Sequence, residues 1–387
     1  MTARRLGWAG VALGAIAWYI TLPPLLVRTP VPSVLIALVA VGAGVAATRA
    51  GDAQMGRAAI LAGVAAGIGA VVATKSGEAN LEKVFVWSAL FAAALRFATP
   101  LLFAALGGIM SERSGVINIG LEGMMLTGAF FGIFGADISD SWFIGLLIGM
   151  GAGGLLGLLH AVFSIALRAD QVVSGVGINF LAAGLTGYVF IAHYGDQGTP
   201  GSVPNVPEVN LPVLKDTGFF GEAIGSANLL TWVALLLVPL MALYLYRTPA
   251  GLRLRSVGEK PRAADSVGIP VLRTRYLAVV ASGCLAGLGG VYLSVGLVHS
   301  FNQGMTAGRG FIALAVVIFG GWRPYGALAG AVLFGFSSAV AQRLPAFSDS
   351  LAVLFQALPY VLVLIVVAGL IGRSRPPASV GLPYVKE

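Results

Sequence analysis

The chain has 387 residues, 57% of them hydrophobic and only 10% charged, against roughly a quarter charged in soluble domains. With a mean hydropathy of +0.89, that balance argues against a soluble enzyme and for a protein that lives in a membrane. The net charge of +8 is not a nucleic-acid footprint, because the basic residues sit in short segments between apolar runs, as the positive-inside rule places them.

At the start, Arg4 and Arg5 precede an apolar run from Leu6 to Ile20. No clean small-x-small cleavage site stands before Pro23 and Pro24, so a retained signal anchor is expected rather than a cleaved peptide. A spanning helix needs about 20 apolar residues. Candidate spans lie near 7–26, 31–48, 58–73, 85–106, 115–136, 142–167, 171–193, 229–246, 276–298, 308–322, 324–341 and 351–371. Several are short or glycine-rich, so the expectation is an all-α polytopic bundle of about 10–12 spans. Alternating these spans leaves only Arg28, Lys75, Lys83, Lys215, Arg309 and Arg343 outside. Both termini and the segment 247–275 are therefore expected in the cytoplasm. Trp142, Trp232 and Trp322 fall at span ends, as in an aromatic belt.

Within the third span, Gly69 to Ser76 approximates a phosphate-binding loop. Thr74 stands where its second glycine must be, and no strand precedes it, so ATP binding is not expected here. The stretch 107–132 places Asn118 and Glu122 four residues apart in an apolar run, on one face if helical. A carboxylate at membrane depth is a functional-site hypothesis by default; pairing with Arg96, also mid-span, is the structural alternative. Gly115, Gly120 and Gly123 suit a broken or re-entrant helix lining a cavity. The stretch from Asp170 adds Ser174 and Asn179, polar groups that either meet a solute or bond between helices.

Gly149, Gly153 and Gly157 repeat every four residues, as do Gly283 with Gly287 and Gly326 with Gly330; such faces let helices pack closely. The outer segment 194–228, with Pro200, Pro204, Pro207 and Pro212, is either a solvated loop or a docking face for an extracytoplasmic protein. In 247–275, Pro261 suits a first helical turn, and Gly268 and Pro270 are stop signals. A helix of about two turns is expected there, too short to stand free in water. It is either part of an ordinary basic loop or an element shown to a partner. Cys284 is the single cysteine, and His160, His193 and His299 are far apart, so no metal site and no catalytic constellation is expected.

Three of these stretches, S-E-R-S-G-V-I-N-I-G-L-E-G-M-M-L-T-G-A, D-Q-V-V-S-G-V-G-I-N and G-L-R-L-R-S-V-G-E-K-P-R-A-A-D-S-V-G-I, occur in an order that resembles permease subunits of bacterial ABC importers. The group is that for branched-chain amino acids, ribose and nucleosides, and the likeness is greatest to the nucleoside, or simple-sugar, permeases. It covers roughly 90–370. The resemblance implies a type II importer-like permease in the bacterial inner membrane. Its partners would be an ABC ATPase subunit, a second permease subunit (identical or paralogous), and an extracytoplasmic binding protein or lipoprotein. ATP and Mg would be bound by the ATPase, with no cofactor in this chain. Residues 1–84 form an N-terminal extension with about three spans, 85–372 the core permease, and 373–387 a cytoplasmic tail. Gly258, Glu259, Pro261, Arg262, Ala263, Ala264, Asp265 and Gly268 would form the coupling helix. Asn118, Glu122, Ser174 and Asn179 would face the solute path, with Phe180 as a stacking face. The alternatives are a permease for a simple sugar or branched-chain amino acid, and a proton-coupled secondary transporter using Glu122 or Arg96. A membrane enzyme acting on lipids would want clustered His, Asp or Ser, which the chain lacks; a purely structural subunit would tolerate loss of Glu122 and Asn179.

Overall fold

The computed structural model describes residues 3–20, 30–75, 86–195, 198–210, 221, 224–343, 357, 360 and 375–385. Among these, the regular elements are helices apart from one hairpin, β1 (Glu208–Asn210) antiparallel to β2 (Ser226–Asn228), with Glu208 opposite Asn228. Nine helices among the described residues are long and apolar enough to cross a membrane. The expected span at 351–371 falls outside them except for Ala357 and Tyr360.

The chain divides into two compact units, the first being residues 1–91 with 337–373, of which only the described residues are considered. It holds α1 (Ala3–Tyr19), α2 (Pro30–Arg49) and α3 (Ala53–Lys75). α1 buries Gly7, Gly10, Gly14 and Ala17, a stripe of small residues at helical spacing that lets backbones approach. A Cβ at Gly10 would lie 2.7 Å from Ala59 Cβ. Residues 69–75 are continuous helix, so the phosphate-loop look-alike is a helix end.

The second unit comprises 92–336 and 374–387. It contains most of α4 (Trp87–Arg113), then α5 (Leu121–Ser139), α6 (Trp142–Ala161) with a π-turn at Val162–Ala166, and α7 (Gln171–Tyr194). After the hairpin come α8 (Leu229–Arg247), α9 (Pro249–Glu259), α10 (Pro261–Ser266) and α11 (Val271–Val291), which continues as a π-helix over Tyr292–Val298. α12 (Arg309–Phe319) and α13 (Pro324–Arg343) follow, the last two turns or so of α13 belonging to the first unit.

α5 and α11 form the centre. Of their spanning windows 72% and 78% are buried, against 22% for α7, which turns most of its surface outward. The expected glycine stripes meet each other: Gly149, Gly153 and Gly157 of α6 lie against Gly283 and Gly287 of α11, and a Cβ at Gly153 would sit 2.5 Å from Gly283 O. Gly128 of α5 touches the backbone of Gly287 as well. Three helices thus approach through backbone rather than side chains.

Four expectations are corrected. The span drawn at 115–136 begins only at Leu121, because 114–120 is not helical. The apolar stretch 308–322 yields an 11-residue helix, α12, which at 1.5 Å per residue is too short to cross. The 247–275 segment holds two helices rather than one. Trp322, expected at a membrane interface, is 5% exposed and donates from Nε1 to Glu112 Oε2 at 2.5 Å.

Candidate functional site

Between α4 and α5 the chain leaves helical geometry for seven residues, 114–120. Gly115 opens the break with φ +93°, and a Cβ there would lie 2.7 Å from Arg275 Nη2, so both backbone and space require glycine. A non-helical segment among apolar spans leaves backbone groups that lipid cannot satisfy. Here neighbouring side chains satisfy them. Ile117 N donates to Gln171 Oε1 at 2.7 Å. Ile117 O lies 2.9 Å from His160 Nε2, which must carry the proton, so Nδ1 accepts from Ser174 Oγ at 3.0 Å. Asn179 holds two points, its Nδ2 donating to Ile119 O at 3.1 Å and its Oδ1 accepting from Gly123 N at 2.8 Å.

Asn118 is fully buried. It lies in the break, not on α5, so it does not share a helix face with Glu122 as expected. Its Nδ2 donates to Ser282 Oγ at 2.9 Å, while its Oδ1 and the Nε2 of Gln171 have no hydrogen-bond partner among the described residues. Glu122 stands in the first turn of α5 and reaches the start of α12, accepting from Gly308 N (2.8 Å) and Gly310 N (2.6 Å). One carboxylate therefore serves the N-termini of two helices, where backbone dipoles favour negative charge. Its partners are these amides and not Arg96. Phe180 is 75% exposed on α7, away from this cluster.

At one end of the bundle α9 and α10 fold as a pair. Thr248 caps α9 by accepting from Gly251 N at 3.1 Å, and Pro249 and Pro261 each begin a helix. Gly258 packs directly on the carbonyl of Arg113, at the edge of the break. Ala264, expected on the partner-facing side, is instead buried with Val257, Val271 and Tyr384. Lys260, Arg262, Ala263, Ser266, Val267 and Gly268 form the exposed face; Glu259 is exposed as well, and Asp265 is half-buried.

Residues 375–385 complete this end. Ser379 donates from N and Oγ to Gly258 O at 2.9 and 2.6 Å. Gly381 N donates to Gly115 O at 3.1 Å. Arg275, only 2% exposed, donates to Ser114 O at 3.1 Å and to Leu382 O at 3.0 Å. The helix pair, the tail and the break thus form one hydrogen-bonded body. Sequence reasoning missed His160, Gln171 and Arg275 in this role. His160 and Gln171 were legible only as polar residues in or beside apolar runs.

The family described as the branched-chain amino acid transport system/permease component matches residues 90–367, well over half of the chain. The chain belongs to this permease family. It is 40% identical over 317 residues to the guanosine ABC transporter permease protein NupQ of Bacillus subtilis, covering 79% of this chain and 99% of that one. It is 36% identical over 306 residues to the nucleoside ABC transporter permease protein NupC of Lactococcus lactis (76% and 95%). It is 39% identical over 266 residues to the putative glucose ABC transporter permease protein TsgC13 of Haloferax volcanii (68% and 79%). No solved structure matches. As an ABC permease the chain is a multi-pass inner-membrane protein and a transport component rather than an enzyme, and its family implies ATPase and binding-protein partners.

Proposed function

We propose that this permease forms the path for a nucleoside in an ATP-driven importer, taking the solute from an extracytoplasmic binding protein or lipoprotein. The observation that carries the solute class is the 40% identity to a guanosine permease along 99% of its length. The second permease subunit is an identical or paralogous chain. Residues 1–84 are an extension outside the family match, which begins at 90. The exposed face of α10, with Arg262 and Ala263, is the seat for the ATPase, which binds ATP and Mg. The break beside it is the element that changes with the ATPase cycle, because Gly258 and Arg275 connect the two directly. Of the polar residues near the path, Asn118 keeps an unspent acceptor for a solute. Glu122, Ser174 and Asn179 are occupied in holding the break and α12.

The likeness to a putative glucose permease at 39% identity supports a simple sugar as the second reading. Uptake of labelled guanosine, uridine, glucose and leucine into cells with and without this gene separates the solutes. The expected result is gene-dependent nucleoside uptake that stops on ATP depletion while the proton gradient is clamped. Uptake that follows the proton gradient instead would overturn the ATP-driven reading. Ala263→Trp, on the exposed face, is expected to leave the protein assembled while ATP hydrolysis no longer drives uptake.

A further inference from the structure

α8 carries α9 at one end and the β1–β2 hairpin at the other. At the hairpin end lies a cavity of about 320 Å³, walled by Arg96 of α4, Glu208 and Ser226 of the hairpin, Thr231 of α8 and Tyr292 of the π-helix. That volume is in the range of small-molecule sites.

Four observations single it out. Arg96 stands nine residues into the apolar helix α4, about 13 Å along its axis, where a guanidinium is expensive unless it serves a pathway. No carboxylate among the described residues forms an ion pair with it. The floor is polar although buried: Tyr292 is 0% and Thr231 3% exposed. Thr99 donates to Leu95 O at 2.8 Å and lies 3.3 Å from Thr231 Oγ1. The Tyr292 hydroxyl bonds to both Thr231 (3.5 Å) and Thr99, so the floor is a linked set of three hydroxyls whose oxygens keep lone pairs for a ligand. The wall is also a π-helix, a form concentrated at functional sites. Its Gly296 leaves room that a side chain would take from Asn228, 3.3 Å from the Cβ position.

The donor set selects the ligand. Arg96 only donates, the carboxyl oxygens of Glu208 accept, and Tyr292 and Thr231 do both. A ligand of either net charge would meet a like charge, whereas a neutral solute with hydroxyls and ring acceptors meets the polar groups and can lay an apolar ring face on Leu95, Val206 and Leu297. A branched aliphatic side chain would strand the hydroxyl floor. We infer that this cavity is the site where a nucleoside first rests on the permease, through its sugar hydroxyls and the edge of its base. The inference rests on the nucleoside reading above.

The test uses the assembled importer in proteoliposomes with labelled guanosine, comparing wild type with Arg96→Gln and Thr231→Val. In parallel, Ser226→Cys in a Cys284→Ser background reports access to a thiol reagent. The expected result is a KM raised about tenfold in Arg96→Gln, assembly with the ATPase subunit as in the wild type, and labelling slowed by guanosine. Wild-type KM in both variants with no protection by guanosine overturns the cavity and leaves the nucleoside reading standing. Import of glucose or leucine instead, with the same Arg96 dependence and protection, keeps the cavity as a site but overturns both the nucleoside reading and the ligand named here. Import of none of them overturns both.

Discussion

Asn179 replaces two backbone partners that the break at 114–120 would otherwise leave unpaired, one on each side of the start of α5. Removing both without a substitute costs about 2–4 kcal/mol by the usual penalty for stranded polar groups. Asn179→Leu is therefore expected to speed amide exchange across 117–123 and to lower the unfolding midpoint in detergent. Unchanged exchange at those amides would mean that the break holds itself. Glu122→Gln keeps the shape but loses the charge between two helix starts, a loss of about 1–2 kcal/mol. Faster exchange at Gly308 and Gly310, with little change elsewhere, is the expected signature. The polarity of these residues was legible in the sequence, and so were the glycines that break the helix. Their partners were not, because Asn179 and Ile119 are 60 residues apart and Glu122 and Gly308 are 186 apart; only the packing of α5, α7 and α12 brings them together.

Between helices, contact is set by which glycine faces a neighbour. Gly149 and Gly151 stand two residues apart on α6. A Cβ at Gly149 would lie 2.6 Å from Gly128 O, whereas one at Gly151 meets nothing within 4 Å. Gly149→Ala should cost about 1–3 kcal/mol through overpacking, while Gly151→Ala should be neutral or stabilise by up to about 1 kcal/mol. Thermal unfolding of the two purified variants against wild type checks the pair; equal losses would refute the packing described. The every-fourth spacing that predicts such faces is plain in the sequence. So is the signal for α10. α9 carried a similar signal, Thr248 followed by Pro249, and was overlooked because its buried face is only Gly251, Leu254, Val257 and Gly258. α12 was read as a span because it is apolar after Arg309, and apolarity alone does not report that Gly320 and Gly321 end it after 11 residues.

Across the second unit, the face proposed to seat the ATPase, the break and the tail share one set of bonds, so on that proposal the tail belongs to the working surface. Truncation after Arg375 removes Tyr384 from its apolar cluster and strips Arg275 of Leu382 O, a combined loss of about 3 kcal/mol or more. Protease protection of α9–α10 should fall, and co-purification of the ATPase with it; protection equal to the full chain would show the tail to be ornamental. The bond from Ser379 to Gly258 also spans 121 residues of sequence. At about 5–20 residues per second on the ribosome, Gly258 is made roughly 6–24 s before its partner. For that interval the nascent chain carries α9 and α10 with an unfinished surface and an Arg275 short of acceptors. With α10 as the proposed seat, motor subunits would meet a completed surface only on chains whose translation has passed every described membrane helix, and that would set the order in which the complex is put together.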